Sequence, residues 1–194
     1  MNTLSIAAAL LAAQPAYSSV DVRLTHGLGE MTVGLDAQAD PLLGQKPEVR
    51  GGAAALSLSH SRGTWNVGLS PKYPLNLSVQ HEAGATNLNL AGLPVNSLKA
   101  DLQRGSLTLK APARTFSADL SQQSGETNIS LPADTGLQLR LTRLAAGSVV
   151  IGGKEVASGR NLSGTYQTDN FASAKNQITL TVSKELGGIN VSLP

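Results

Sequence analysis

A glycine recurs at nearly constant intervals through the middle of this 194-residue sequence, and this repeat constrains the fold more than any other feature. Gly84, Gly105, Gly125 and Gly147 are separated by 21, 20 and 22 residues. Each follows a run of alternating apolar and polar residues and precedes a shorter run of the same kind. A period of about 20 residues made of short strands is typical of a β-solenoid, in which each repeat forms one rung of a stack. A rung buries its apolar face only when neighbouring rungs cover it.

The alternation of apolar and polar residues predicts strands along most of the chain. Apolar side chains occupy every second position in residues 20–24, 75–79, 137–141 and 178–182, which is the period of a half-buried strand. We therefore predict an all-β, single-domain β-solenoid of roughly seven to nine rungs. The alternative is a β-sandwich in which the two runs around each glycine form an antiparallel hairpin. The recurrence near 20 residues favours the solenoid.

The composition fits a narrow core between polar outer faces. Aromatic residues make up 3% of the chain and charged residues 14%, against roughly 25% charged residues in an average protein. Leu, Val, Ile and Ala are expected to point inward and stack from rung to rung. The outward positions are expected to form uncharged polar ladders along the stack, and they include Asn87, Asn89, Thr108, Asn128 and Ser130.

One segment departs from the repeat, from Gly152 to Ala174, and is predicted to interrupt the regular stacking. The interval from Gly147 to Gly187 is 40 residues, or two repeats, so the pattern resumes after it. The terminal rungs also need a cover, because an open rung offers unpaired amides to another chain. We expect either that residues around Tyr166 cover one end or that two molecules associate end to end.

The repeat units contain the segments GLGEMTV, AGATNLNLAGLPVNSLKADLQRGSLTL, SGETNISLPADTGLQLRL, AAGSVVIGG and ITLTVSKELGGINVSL. From about Val20 to Leu193, these units resemble the toastrack-type β-solenoid domain of bacterial cell-envelope proteins. A similar domain forms the C-terminal part of LiaF-like proteins, which respond to cell-wall antibiotics, and adhesin-like domains of unknown function share its repeats. The resemblance implies a solenoid that acts at the cell envelope, with the envelope stress response as one setting.

An apolar segment of ten residues, Leu4 to Ala13, stands near the start of the sequence. It is half as long as the roughly 20 residues that span a bilayer, so no membrane span is predicted. Its length and lack of charge fit the core of a secretory signal, and Ala16 and Ser18 supply the small residues that precede a cleavage site. We predict a signal peptide over residues 1–18, a β-solenoid domain over residues 19–194, and an extracytoplasmic location. The alternative is a structural cap on the solenoid.

The sequence predicts no catalytic, cofactor-binding or metal-binding residue. The chain contains no cysteine, which excludes disulfides and thiolate metal sites. His26, His60 and His81 lie in separate segments without metal-ligand spacing, so we expect exposed strand or loop residues rather than ligands. Fifteen basic residues against 13 acidic ones, with no basic run, argue against a nucleic-acid partner.

Two carboxylates carry the remaining chemical hypothesis. Asp101 and Asp119 follow the same Ala in the units KADL and SADL, and Arg140 takes the same place in the next unit. Carboxylates in equivalent positions of stacked rungs would lie about 4.8 Å apart, where they could bind a cation or raise one pKa. The simpler interpretation pairs Asp119 with Arg140, and Asp101 with Lys99 or Arg104, at the solvated surface.

These observations favour a secreted or envelope-associated protein with a structural or interaction role and no enzymatic activity. Its rigid polar faces suit a protein partner or a cell-wall glycan. The alternative functions are a carbohydrate-active β-helix enzyme that uses Asp101 and Asp119, or a glycan-binding module.

Overall fold

The computed structural model describes residues 17–194, which form 15 β-strands and no α-helix. The predicted signal segment, residues 1–18, lies outside the described residues except for its last two positions. In chain order the strands are β1 (Ser19–Leu28), β2 (Met31–Leu35), β3 (Glu48–Arg50), β4 (Ala53–Arg62), β5 (Trp65–Leu69), β6 (Leu75–Ala83), β7 (Thr86–Asn89), β8 (Val95–Arg104), β9 (Leu107–Lys110), β10 (Phe116–Ser124), β11 (Thr127–Ser130), β12 (Thr135–Ile151), β13 (Lys154–Gln167), β14 (Asn176–Leu186) and β15 (Ile189–Ser192).

Each rung consists of a long strand, a glycine corner and a short strand. The long strands stack in the order β4-β1-β6-β8-β10-β14-β12, and we call this sheet the long-strand sheet. The short strands stack as β5-β2-β7-β9-β11-β15 and end on the last residues of β12, forming the short-strand sheet. Within both sheets the neighbouring strands are parallel. The predicted β-solenoid is therefore confirmed, and the alternative sandwich of hairpins is wrong.

The stacking order differs from the chain order at both ends of the solenoid. The first rung of the chain, β1–β2, lies between the β4–β5 and β6–β7 rungs, and β14–β15 lies between β10–β11 and β12. Strict stacking in sequence order, which the repeat suggested, is wrong at these two places. The insertion gives β1 and β14 a hydrogen-bonded neighbour on each side, so neither is an edge strand.

Two antiparallel hairpins cover the terminal rungs, to different extents. Both hairpins turn at a Gly-Gly pair, Gly51–Gly52 and Gly152–Gly153, and all four glycines have positive φ values between 56° and 84°, as a two-residue type I′ turn requires. The second hairpin pairs β13 with β12 from Gln138 to Ile151. The cover predicted around Tyr166 is thus confirmed, because Tyr166 lies opposite Leu139.

The opposite end of the solenoid is covered only in part. Strand β3 pairs with three residues of β4, Ala53 to Ala55. Beyond them, among residues 17–194, residues 56–62 of β4 and all of β5 have a strand neighbour on one side only. This open edge is the end at which unpaired backbone amides remain available.

The core consists of apolar columns that run along the stack. One column crosses the long-strand sheet through Leu56, Val22, Leu77, Leu98, Ala118, Leu180 and Leu139, all buried. Its counterpart crosses the short-strand sheet through Val67, Val33, Leu88, Leu109, Ile129 and Val191. Burying one such side chain contributes about 1.5–3 kcal/mol, so the columns hold the rungs together.

The glycines at the corners also form a column, which fixes the register of the rungs. Its order is Gly63, Gly29, Gly84, Gly105, Gly125, Gly187 and Gly147, with φ between 96° and 158°. Each corner bonds to the next: the Gly84 amide donates to the Arg104 carbonyl at 3.0 Å, and the Gly105 amide to the Ser124 carbonyl at 3.0 Å. A Cβ on Gly105 would collide with the backbone carbonyl of Gly84.

We expect Gly105→Ala to lower the free energy of unfolding by about 3 kcal/mol or more, because it adds a backbone collision to the 1–3 kcal/mol of a strained φ. Gly153→Ala is the matched control, since Gly153 also has a positive φ (79°) but no atom lies within 4 Å of its added Cβ. The control should lose about 1 kcal/mol. Urea unfolding measures both, and equal losses would contradict the register role of the corner column.

Candidate functional site

The outer face of the long-strand sheet carries a groove that crosses five rungs. It has a volume of about 490 Å³ and runs along the solenoid axis from Glu48, past β4, β1, β6 and β8, to Asp119 on β10. Five parallel strands spaced about 4.8 Å apart give it a length of about 19 Å. None of the described residues that line it is aromatic.

Two polar columns flank this groove. The first contains Asp21, Asn76 and Ser97, joined in sequence: the Asn76 amide donates to the Asp21 carboxylate at 2.7 Å, and the Ser97 hydroxyl to the Asn76 carbonyl at 3.1 Å. These bonds hold the flank in one conformation. The second column places Ser57, Arg23, Ser78, Lys99 and Asp119 on adjacent strands.

The second column presents both signs of charge at fixed positions. Arg23 reaches diagonally to Gln80, whose side-chain oxygen accepts a hydrogen bond of 3.0 Å. Lys99 and Asp119 face each other on neighbouring strands. Small Ser57 and Ser78 leave the floor open between the longer side chains. The arrangement offers hydroxyl, amide, cationic and anionic groups to a polar ligand lying across the strands.

The predicted pairing of Asp101 with Asp119 is wrong. Asp119 lies opposite Lys99, and Asp101 lies opposite Ser121. The reason is the corner column: Gly105 follows Asp101 by four residues, whereas Gly125 follows Asp119 by six, so aligning the glycines displaces the carboxylates by two positions. Arg140 does not pair with Asp119 either, because the inserted strand β14 places Thr181 between them.

The outer face of the short-strand sheet carries the uncharged ladder that the sequence predicted. Asn87, Thr108, Asn128 and Asn190 lie on adjacent strands, and the Asn190 amide donates to the Asn128 side-chain oxygen at 3.3 Å. The next outward position holds Asn89, Lys110, Ser130 and Ser192.

A column of corner side chains lies inside the solenoid, three residues before each corner glycine. In stacking order it contains His60, His26, His81, Leu102, Gln122, Lys184 and Leu144. Five of these seven residues are polar, although the position points into the core. Sequence analysis missed this column, and aligning the units on their glycines would have revealed it in H-x-x-G at residues 26–29, 60–63 and 81–84.

The three histidines meet in this column, contrary to the expectation that they are separate and exposed. The rings of His26 and His60 are 5.2 Å apart between centroids, and those of His26 and His81 are 4.7 Å apart. His26 and His81 are buried. The His26 and His60 rings are stacked and the His81 ring is tilted against His26. Among residues 17–194 no group of three His, Cys, Asp or Glu side chains is arranged to hold a metal ion.

A second polar cluster surrounds the buried amine of Lys184, which is 1% exposed. The amine donates to the Gln122 side-chain oxygen at 2.6 Å and to the Thr127 hydroxyl at 2.8 Å. The Gln122 amide in turn donates to the Gly105 carbonyl at 2.5 Å, so the cluster joins three rungs. Burial lowers the pKa of Lys184 to about 8, with the carboxylate of Glu126 acting in the opposite direction.

No helix in residues 17–194 is long and apolar enough to cross a membrane.

Comparison with known proteins places this fold in a recognised group. Residues 46–131 match the family described as the N-terminal domain of toast_rack, DUF2154. A crystal structure described as a "putative cell adhesion protein" of Clostridium sporogenes has the same fold, with a TM-score of 0.76 and 17% sequence identity over 93% of this chain and 96% of that chain. A search of curated proteins finds no match. Residues 46–131 therefore match a toast-rack domain, as the resemblance implied, and the chain shares its fold with the Clostridium sporogenes structure.

The lowered pKa of Lys184 predicts a rise in stability at alkaline pH. The folded protein binds its proton less tightly than the unfolded chain, whose pKa is near 10.5, so stability increases with pH between about 8 and 10.5. Relative to Lys184→Met, the wild-type unfolding free energy should gain about 3 kcal/mol across this window. Denaturation at pH 7.5 and 10.5 measures the gain.

Lys154→Met removes an exposed lysine and is the matched control for this measurement. The difference in unfolding free energy between Lys154→Met and the wild type should be the same at pH 7.5 and 10.5. If both lysine variants follow the wild type in parallel, the amine of Lys184 is not the group that titrates.

Proposed function

We propose that this toast-rack-type chain is an envelope-associated, non-enzymatic interaction module that binds a protein partner in the groove of the long-strand sheet. The observation that carries the proposal is the groove itself, which crosses five rungs between two polar columns. The hydrogen bonds along Asp21, Asn76 and Ser97 fix its flank before a partner arrives. Preorganisation of this kind lowers the entropy cost of binding.

The chemistry of the groove favours an extended polypeptide over a glycan. Arg23, Lys99 and Asp119 offer charge pairs to side chains, and Asn76 and the serines suit peptide amides. Sugar rings are commonly bound on aromatic side chains, and the described lining has none. The cell adhesion description of the Clostridium sporogenes protein agrees with an interaction role, but it belongs to that protein.

A carbohydrate-active enzyme that uses Asp101 and Asp119 is the less favoured alternative. The two residues are two positions out of register on β8 and β10, although both line one small cavity. A glycan-binding module without turnover remains the second candidate, since the outer ladder of Asn and Thr on the short-strand sheet also offers hydrogen bonds.

We also propose that any self-association uses the open edge of β4 and β5. At the opposite end β13 pairs with most of β12, so the two ends of the solenoid present different strands. Two open edges brought together would give a two-fold, head-to-head dimer. Light scattering over a range of protein concentrations measures whether this dimer forms.

Blocking the groove should abolish binding without affecting the fold. A photo-crosslinking residue at Ser57, on the groove floor, should form an adduct with an envelope protein in the producing cells. Ser78→Arg fills the middle of the groove and should reduce the adduct about tenfold, which corresponds to about 1.4 kcal/mol. Thr108→Arg, on the outer face of the short-strand sheet, is the matched control and should leave it unchanged.

The same variants distinguish the other candidates. Co-sedimentation with purified peptidoglycan that Thr108→Arg abolishes would assign glycan binding to the ladder of the short-strand sheet, and loss in Ser78→Arg instead would place a glycan in the groove. Release of soluble sugars from that polymer would restore the enzyme hypothesis. An adduct that is equally strong in Ser78→Arg and Thr108→Arg would remove the groove from the proposal.

Export is the second component of the proposed function, and we expect it to be accompanied by cleavage of the chain after Ser18. The β1 ladder begins at Ser19, opposite Ala53, so cleavage there would leave every strand whole. Among the described residues it would remove Tyr17, which packs against the core and contacts Tyr73 edge-on at 6.0 Å between ring centroids, and the bonds of Ser18 to the Gly52 carbonyl.

The exported protein should begin at or near Ser19 and be about 2 kDa lighter than the full chain. Leu10→Asp should retain the full-length chain inside the cell, because a charge weakens insertion of a short apolar core. Mass spectrometry of the extracellular and cytoplasmic fractions measures both. An intact Met1 on wild-type protein confined to the cytoplasm would favour the structural-cap alternative.

A further inference from the structure

The three-histidine column lies at the less protected end of the solenoid. His60 belongs to the terminal strand β4, His26 to β1 and His81 to β6, so the column joins the last three rungs before the open edge. Trp65, the first residue of β5, covers it: its ring is 5.6 Å from that of His60 and 5.7 Å from that of His26. The chain contains no other tryptophan.

The imidazole rings of this column have few hydrogen-bond partners. Nδ1 of His26 is 2.9 Å from the His60 carbonyl, and Nδ1 of His81 is 2.7 Å from the Thr86 hydroxyl. Nε2 of His26, Nδ1 of His60 and Nε2 of His81 are buried and have no partner among the described residues. An imidazolium donates from both ring nitrogens. The backbones of Ala83 and Gly29 favour the protonated form of His81, but less than burial opposes it.

The neutral column is therefore stable and the protonated column is not. Burial, followed by the neighbouring His26, lowers the pKa of His81 below its ordinary value of 6.5. A group whose folded pKa is depressed loses stability as the pH falls below its unfolded pKa. Two protonated rings in the column would also repel each other across less than 6 Å.

The charged groups on the surrounding strands do not fully offset the effect of burial on the pKa of His81. Glu82 on β6 raises the pKa of His81, but less than burial lowers it. Asp101 on β8 shares a small cavity with His26, His81 and Glu82. The remaining charged residues at this corner stand at the exposed strand ends: Glu30, Arg62 and Arg104.

We propose that the His60–His26–His81 column makes the β4–β5 rung acid-labile, so that protonation of the column at acidic pH releases this rung while the remaining solenoid stays folded. Strands β4 and β5 are the ones that can leave, because within residues 17–194 β4 has a parallel neighbour only in β1, and β5 only in β2. Release would uncover the other edges of β1 and β2 and remove one end of the groove.

The column itself suggests variants that remove the titrating groups and keep the packing. Leu102 and Leu144 occupy its equivalent positions in other rungs, which makes His26→Leu a substitution with a local precedent. Gln122 bonds to Thr127 as His81 does to Thr86. His81→Gln therefore preserves the hydrogen bond without a titratable ring.

Hydrogen exchange at pH 7.5 and 5.0, corrected for the intrinsic rate, tests the proposal in the wild-type protein. Protection of residues 53–69 should fall at least about tenfold at pH 5.0, which corresponds to about 1.4 kcal/mol, while residues 135–151 keep their protection. Trp65 emission should change as the pH falls from 7.5 to 5.0. Unchanged protection of residues 53–69 would overturn the proposal without any variant.

The variants identify the responsible groups. His26→Leu/His81→Gln should lose the acid response, and His81→Gln alone should weaken it. Glu82→Gln and Asp101→Asn are carboxylate controls, and both should keep it. An acid response that survives in the histidine variants, or disappears in a carboxylate control, would overturn the assignment. These readouts require no partner, so their failure is distinct from failure of the groove proposal.

Discussion

The close contact between corner backbones fixes the positions of all other groups in this solenoid. At Gly84, Gly105 and Gly125 a Cβ would collide with the carbonyl of the adjacent corner, so glycine is needed for the rungs to approach within hydrogen-bonding distance. Once the corners stack, each residue is placed by its distance from the glycine. The apolar columns, the polar groove and the histidine column all follow from that alignment.

This dependence explains which parts of the architecture could be predicted. The alternation of apolar and polar residues and the glycine repeat of about 20 residues predicted an all-β solenoid. Residues such as Leu77 and Leu109 are buried as expected. The stacking order could not be predicted, because β1 resembles an ordinary repeat unit and its insertion between β4 and β6 depends on long-range pairing. The two Gly-Gly pairs were a local signal for the end hairpins.

The same reasoning explains the errors at the candidate site. Asp101 and Asp119 were compared through their shared Ala-Asp-Leu, whereas the structure aligns the chain on Gly105 and Gly125. The histidines were judged by their separation in sequence, but a parallel stack brings residues together when they are equally far from a corner. His26, His60 and His81 satisfy that condition, and so do Gln122 and Lys184.

The corner column distributes stability unevenly along the molecule. Around Lys184 the polar groups satisfy one another, since Gln122 and Thr127 accept from its amine and Gln122 bonds to the next rung. Around His26 three ring nitrogens have no partner among the described residues, and leaving a buried polar atom unpaired costs about 1–3 kcal/mol. The satisfied cluster lies toward the end that β13 covers, whereas the unsatisfied one lies beside the open edge. Local opening therefore has its lowest cost at the β4–β5 rung, which also forms one end of the groove.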